Sequence, residues 1–122
     1  MSKQPGEGPG SGVRGPGTAT QLAYRWANIV AEVTRGYQSG IEEYEDEMRV
    51  RQDIQDLMSA GVPLTARAMK VVRVADERYL GVVQPTKIPL VRDAATDAFW
   101  YRSIPRHVAG DLREDAEALG ML

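Results

Sequence analysis

The residue types best suited to binding or catalysis cluster at positions 99–107, where the sequence reads FWYRSIPRH. Successive residues of a helix point about 100° apart, so Phe99, Trp100 and Tyr101 cannot all face one core. At least one of these rings should therefore lie at the surface or at an interface. Aromatic and arginine side chains supply much of the binding energy in protein interfaces. We therefore centre a predicted binding site on Trp100, Tyr101, Arg102, Arg106 and His107.

Polar residues of the first predicted helix are candidates for the opposite wall of this groove. They are Arg25, Glu32 and Arg35. If the site catalyses a reaction, His107 is the natural acid or base, because histidine exchanges a proton near neutral pH. Arg102 and Glu32 are the other catalytic candidates.

The aromatic stretch also has a purely structural interpretation. In that interpretation Phe99 and Ile104 belong to the core, and Trp100 or Tyr101 packs in a dimer interface. The arginines of the stretch are then solvated. The residue types alone leave both interpretations open.

Most other kinds of site lack the residues that they need. The chain has no cysteine, which excludes disulfides, thiolate zinc sites, iron–sulfur clusters and cysteine nucleophiles. The acidic run 42–47 lacks the Glu-x-x-His spacing of helical metal sites, and its acids suit the first turns of a helix. The sequence contains no serine elbow, phosphate loop or dinucleotide fingerprint. We therefore predict neither a metal nor a cofactor.

The elements that position these candidates should be helices, because apolar residues recur at helical spacing. Capping boxes at 18–21 and 39–42 open predicted helices over 19–38 and 41–59. An apolar stripe runs through both, so a single helix of about 40 residues also fits. Such a helix would need a second chain to cover its stripe, which predicts a homodimer. The stripe consists of Trp26, Val30, Val33, Tyr37, Ile41, Tyr44 and Met48.

A third helix is predicted over 64–83, after a Gly-Val-Pro sequence that ends the second helix. Its valines lower helix propensity, so residues 79–83 could instead form a strand that pairs with 88–91. Both possibilities place an element boundary near Pro85.

Two further helices are predicted near the C-terminus. Asp93 caps a fourth helix that runs to Ser103, and Pro105 opens a fifth. Gly120 ends the fifth helix. Its predicted buried face consists of Val108, Leu112, Ala116 and Leu119.

These elements predict an all-α fold, a compact bundle of four to five helices in a single domain over 18–122. Residues 1–17 contain six of the twelve glycines and three of the seven prolines, so we expect a disordered tail. No window approaches the ~20 apolar residues of a membrane span, and the first residues lack the apolar run of a secretory signal. We therefore expect a cytoplasmic protein that makes no membrane contact.

These features predict a small helical interaction or accessory protein, a homodimer that recognises a peptide or protein partner through an aromatic and arginine-lined groove. One alternative is a cofactor-free tailoring enzyme that acts on a peptide, for example in natural-product biosynthesis. The other is a DNA-binding regulator, because residues 55–67 resemble a helix-turn-helix and basic residues are in excess over 64–92. The net charge of -2 and the pI near 5.4 argue against general nucleic-acid binding.

Overall fold

Helices make up most of the structure, a computed structural model that describes residues 16–86, 103–108 and 110–122. The described elements are α1 (Pro16–Arg35), α2 (Ile41–Ser59), α3 (Ala66–Val82), β1 (Val83–Pro85), β2 (Ser103–Pro105) and α4 (Gly110–Ala118). The predicted helical character is confirmed. A small antiparallel sheet of β1 and β2 accompanies the helices, which the all-α prediction did not include.

The first two helices are separate, and the alternative of one long helix is wrong. α1 ends because Gly36 adopts a φ of +115°, which glycine reaches without steric cost. Its amide donates to the carbonyl of Glu32 at 3.0 Å and closes the last turn. α2 then covers 41–59, the predicted range.

The apolar stripe of the first two helices is covered within one chain. α1 packs against both α2 and α3. All seven stripe residues, from Trp26 to Met48, are buried at 7% exposure or less. The stripe changes direction after Gly36, so α2 can lie beside α1 instead of extending it. The long exposed stripe on which the predicted dimer rested is therefore absent.

The capping boxes predicted for the first two helices do not form the observed N-termini. α1 begins at Pro16, inside the segment 1–17 predicted as a tail, and Thr18 lies within the helix. Proline suits a first helical turn, because it has no amide hydrogen to leave unpaired. The N-cap of α2 is Gly40, not Ser39, and it makes no side-chain cap bond.

α4 supplies the missing cap of α2. The Ile41 amide donates to Oδ2 of Asp115 at 3.0 Å. An added Cβ on Gly40 would lie 2.8 Å from this oxygen, so a larger residue would displace the carboxylate from the cap. A carboxylate placed here also interacts favourably with the positive end of the helix dipole. The N-terminus of α2 thus depends on a residue far along the chain.

We expect Asp115→Ala to lower the free energy of unfolding by about 1 kcal/mol, since the substitution removes this cap. Urea unfolding followed by circular dichroism measures the change. Glu114→Ala is the matched control, because Glu114 is an exposed acid of the same helix. Equal stabilities for the two variants would show that the Asp115 contact contributes nothing.

α3 covers most of its predicted range, 64–83, and begins after Thr65, whose hydroxyl accepts from the Ala68 amide at 3.0 Å. The alternative strand over 79–83 is wrong, because the chain stays helical to Val82. β1 begins at Val83, which pairs with Pro105 of β2. Residues 88–91, the predicted partner, lie outside the described residues.

The C-terminal helix starts later than predicted. Pro105 belongs to β2, and α4 begins at Gly110. The predicted fourth helix, 93–103, lies outside the described residues except for Ser103, which is in a strand.

The buried face of α4 differs from the prediction at its last position. Leu112 and Ala116 are buried as predicted, whereas Leu119 is 52% exposed. Met121 is buried near the end of α4 instead, because the chain reverses after the helix and its amide bonds to the Ala116 carbonyl at 2.9 Å.

Asp76 joins the three long helices. Its Oδ1 accepts from Nε1 of Trp26 at 2.8 Å and from Nε of Arg51 at 3.0 Å. Its Oδ2 accepts from Nη2 of Arg51, also at 3.0 Å. Arg51 is 6% exposed, so Asp76 is the counter-ion of a buried guanidinium. One carboxylate thus fixes α1 and α2 against α3.

Two buried tyrosines connect α2 and α3 to the sheet. The hydroxyls of Tyr44 and Tyr79 lie 2.8 Å apart. Both also lie within hydrogen-bond distance of the Ser103 carbonyl, at 3.0 Å and 3.2 Å respectively, so one hydroxyl can donate to the carbonyl while the other donates to its neighbour. Burial raises the pKa of both hydroxyls well above the ordinary tyrosine range. The ring of Tyr79 also packs against Trp26, with ring centroids 5.3 Å apart.

Candidate functional site

The centre of the predicted binding site lies outside the described residues. This applies to Phe99 and to the three candidates Trp100, Tyr101 and Arg102. Ile104 is fully buried, as the structural interpretation of the stretch requires.

Arg106 and His107 follow β2 and are exposed. The Arg106 side chain donates from Nε to the Val83 carbonyl at 3.1 Å and from Nη1 to the Gly81 carbonyl at 3.3 Å. Its own amide donates to the Val82 carbonyl at 2.9 Å. Arg106 therefore closes the C-terminal end of α3, where a cation complements the helix dipole. This contact gives the residue a structural role.

The three polar candidates of the first helix lie together in a surface groove of about 340 Å³ between α1 and α2. Arg25, Glu32 and Arg35 are spaced seven and three residues apart, which places them on one face of α1. The groove is lined by Arg25, Asn28, Ile29, Ala31, Glu32, Arg35 and Glu47. We call it the α1–α2 groove.

Glu47 is the charged lining residue of this groove that was not among the predicted site residues. Its Oε1 accepts a hydrogen bond from the hydroxyl of Tyr37. Partial burial raises the pKa of the Glu47 carboxyl, although the Tyr37 hydrogen bond and Arg25 act in the opposite direction. A carboxyl of this kind can exchange a proton with a ligand. No signal for the pair was present in the sequence, because Glu47 and Tyr37 are ten residues apart and match no catalytic motif.

Two of the three catalytic candidates lie among the described residues, and no described groove holds both of them. Glu32 lines the α1–α2 groove, whereas His107 lines none of the described grooves. Arg102 lies outside the described residues. Acid–base catalysis requires its groups to reach a common substrate atom.

A second groove, between α1 and α3, was not predicted from the sequence. It encloses about 360 Å³ and is lined by Tyr24, Ala27, Val30, Arg67, Lys70, Val71, Val74, Ala75 and Arg78. We call it the α1–α3 groove. Its lining residues include three cations and no acid.

The α1–α3 groove arises where small side chains face each other. Ala27 on α1 and Ala75 on α3 leave space between the two helices. Val71 and Val74 line the same apolar surface. Tyr24 stands at its side and is 42% exposed, so a large aromatic surface is available to a partner.

A signal for this groove was present in the sequence. Arg67, Lys70, Val74 and Arg78 recur at three- and four-residue spacing, so cations and a valine share one face of α3. A purely solvated face would not need that valine. From the sequence alone, the basic excess over 64–92 supports only the DNA-binding alternative.

No family model matches the chain, and no curated protein or solved structure shows significant similarity to it. Within the described ranges, no helix is long and apolar enough to cross a membrane. The same ranges contain no group of three or more acidic, histidine or cysteine side chains arranged to hold a metal ion.

Proposed function

We propose that the protein is a small helical interaction module that recognises an acidic amphipathic segment of a partner protein in the α1–α3 groove. The observation that carries this proposal is an apolar surface bordered by Arg67, Lys70 and Arg78 without an acidic lining residue. A helix with an apolar stripe and flanking acids matches such a groove in both polarity and charge.

The residue types around the groove are those that contribute strongly to binding. Tyrosine and arginine are enriched among the energetically dominant residues of interfaces. Tyr24 offers an exposed ring on one side, and Arg67 and Arg78 offer guanidiniums on the other helix. A guanidinium binds a carboxylate through two parallel hydrogen bonds, which orients as well as attracts the ligand.

The apolar part of this surface favours a peptide over a nucleic acid. Binding to DNA relies on phosphate contacts from a basic, polar surface, and the interface is wet. Here Ala27, Val71 and Val74 line the groove together with the cations, so part of the contact surface is apolar. The apolar stripe of a partner helix can bury this area, whereas a phosphate backbone would leave it unused.

The test measures the affinity of the full chain for labelled peptides that combine leucines at helical spacing with glutamates. Fluorescence anisotropy gives the Kd, and amide shift changes of Ala27, Val71 and Val74 locate the contact. We expect Arg67→Glu combined with Arg78→Glu to weaken binding at least about tenfold, because like charges would then face each other. A peptide with lysines in place of the glutamates should not bind the unmodified chain.

The matched control combines Arg73→Glu with Arg113→Glu. Both arginines are exposed, neither lines the groove, and the net charge changes by the same amount. This control should keep the affinity of the unmodified chain for the acidic peptide. Equal losses of affinity in the two double variants would show that net charge alone drives binding, and would contradict binding in the α1–α3 groove. Tighter binding to duplex DNA at physiological salt would favour the DNA-binding alternative instead.

A further inference from the structure

The exposed face of α4 has the composition that the α1–α3 groove would bind. Asp111, Glu114 and Ala118 are exposed and follow the three- and four-residue spacing of one helical face, and Leu119 is exposed directly after the helix. These four residues form one wall of a surface groove beside the start of α2. Leu122 follows the helix and is also exposed. These five residues form what we call the α4 ridge. It combines two acids with two large apolar side chains, of which Leu119 is 52% exposed.

The α4 ridge and the α1–α3 groove complement each other. The groove has three cations and no acid among its lining residues, and its apolar surface is accessible. The ridge presents acids together with leucines whose exposure to water is unfavourable. Cations on the groove and acids on the ridge attract each other and orient the apolar contact between the two surfaces.

The ridge and the groove of one molecule belong to different helix pairs. α4 packs against α2, where Leu112 and Ala116 are buried and Asp115 caps the Ile41 amide at 3.0 Å. The groove lies between α1 and α3. To reach its own groove, α4 would have to give up the cap and its buried face. A second copy can supply the same ridge without that loss.

We propose that the α4 ridge of one copy occupies the α1–α3 groove of another, so that the protein self-associates head to tail. This inference rests on the proposed function, since it identifies one acidic amphipathic ligand of the same groove. Each copy carries one ridge and one groove, so the contacts close into a reciprocal pair or a ring where the rotation between copies permits it, and otherwise form open chains.

The association should be weak and sensitive to salt. A groove of about 360 Å³ accepts only a few side chains. The charges on both sides are exposed, so added salt screens their attraction. We therefore expect assembly that increases with protein concentration and decreases with ionic strength.

Sedimentation velocity of the full chain over a range of concentrations tests this proposal. Arg78→Glu and Glu114→Lys should each weaken self-association at least about tenfold, because each places like charges across the contact. A mixture of the two variants should associate again, since the new glutamate can face the new lysine. The controls are Arg73→Glu and Glu117→Lys, exposed substitutions outside the lining of either surface, which should associate like the unmodified chain.

The outcomes separate this inference from the proposed function. A chain that stays monomeric at all concentrations and binds acidic peptides would overturn the inference and keep the proposed function. Self-association that is lost in Arg78→Glu and unchanged in Glu114→Lys would also overturn it, because another segment would then be the occupant. A chain that neither self-associates nor binds acidic peptides would overturn both.

Discussion

Replacing Asp76 with alanine should lower the free energy of unfolding by about 3 kcal/mol or more. The substitution removes the carboxylate that binds the buried Arg51 guanidinium, at 3.0 Å from Nε and from Nη2. It also leaves Nε1 of Trp26 without the acceptor that it reaches at 2.8 Å. Removing one partner of a buried ion pair typically costs about 3–5 kcal/mol, because a desolvated charge remains. Urea unfolding measures the loss.

The neighbouring residue provides the control for this experiment. Glu77 is an exposed acid on the same helix, so Glu77→Ala should change stability by less than about 0.5 kcal/mol. Adding Arg51→Met to Asp76→Ala should recover part of the loss, because the buried guanidinium that Asp76 binds is then absent as well. If Asp76→Ala unfolds as late as Glu77→Ala, the carboxylate does not hold the three helices together.

Stability should fall steeply when the pH rises above about 10. In the unfolded chain, tyrosine hydroxyls lose their protons near pH 10. In the folded protein, burial raises the pKa of Tyr44 and Tyr79, so folding favours their neutral forms. This contribution to stability is complete below pH 10 and is lost above it. Each tyrosine can remove up to about 1.4 kcal/mol per pH unit.

Urea unfolding between about pH 8 and 11 measures this slope, while tyrosinate absorbance reports the ionisation. Tyr44→Phe and Tyr79→Phe should each make the slope shallower, because one buried hydroxyl no longer titrates. Phenylalanine keeps the ring and thus the apolar packing of each site. An unchanged slope in both variants would show that these two hydroxyls do not control alkaline unfolding.

The division into three long helices could be predicted from local signals. Gly36 separates α1 from α2 because its positive φ ends the first helix, and α2 then covers the predicted range. α3 could be predicted from apolar residues at helical spacing between Gly61 and Pro85. Such features depend on residues close in sequence, so spacing and residue type are sufficient to find them.

Long-range contacts could not be predicted in this way. The strand at Val83 pairs with Pro105, and no tight-turn sequence joins the two strands. The cap of α2 comes from Asp115, although the local sequence favoured Ser39 as the cap. In both cases a contact made by the folded chain replaced the partner that the local pattern favoured.

The candidate grooves show the same division. Arg25, Glu32 and Arg35 were recognised as one polar set, and their helical spacing brings them to one groove. The α1–α3 groove was missed because its surface needs both Ala27 and Ala75, which belong to different helices. Two small residues on facing helices leave no signature in either segment alone.

The contact between Ile41 and Asp115 links events at two distant parts of the chain. The two residues are 74 positions apart, so the contact closes a long loop and should form late in folding. Until α4 docks, the first turn of α2 has one amide without this acceptor. Detachment of α4 and fraying of the start of α2 should therefore occur as one cooperative local opening. Through this contact, a short helix at one end of the sequence controls the kinetic lifetime of a turn near the middle.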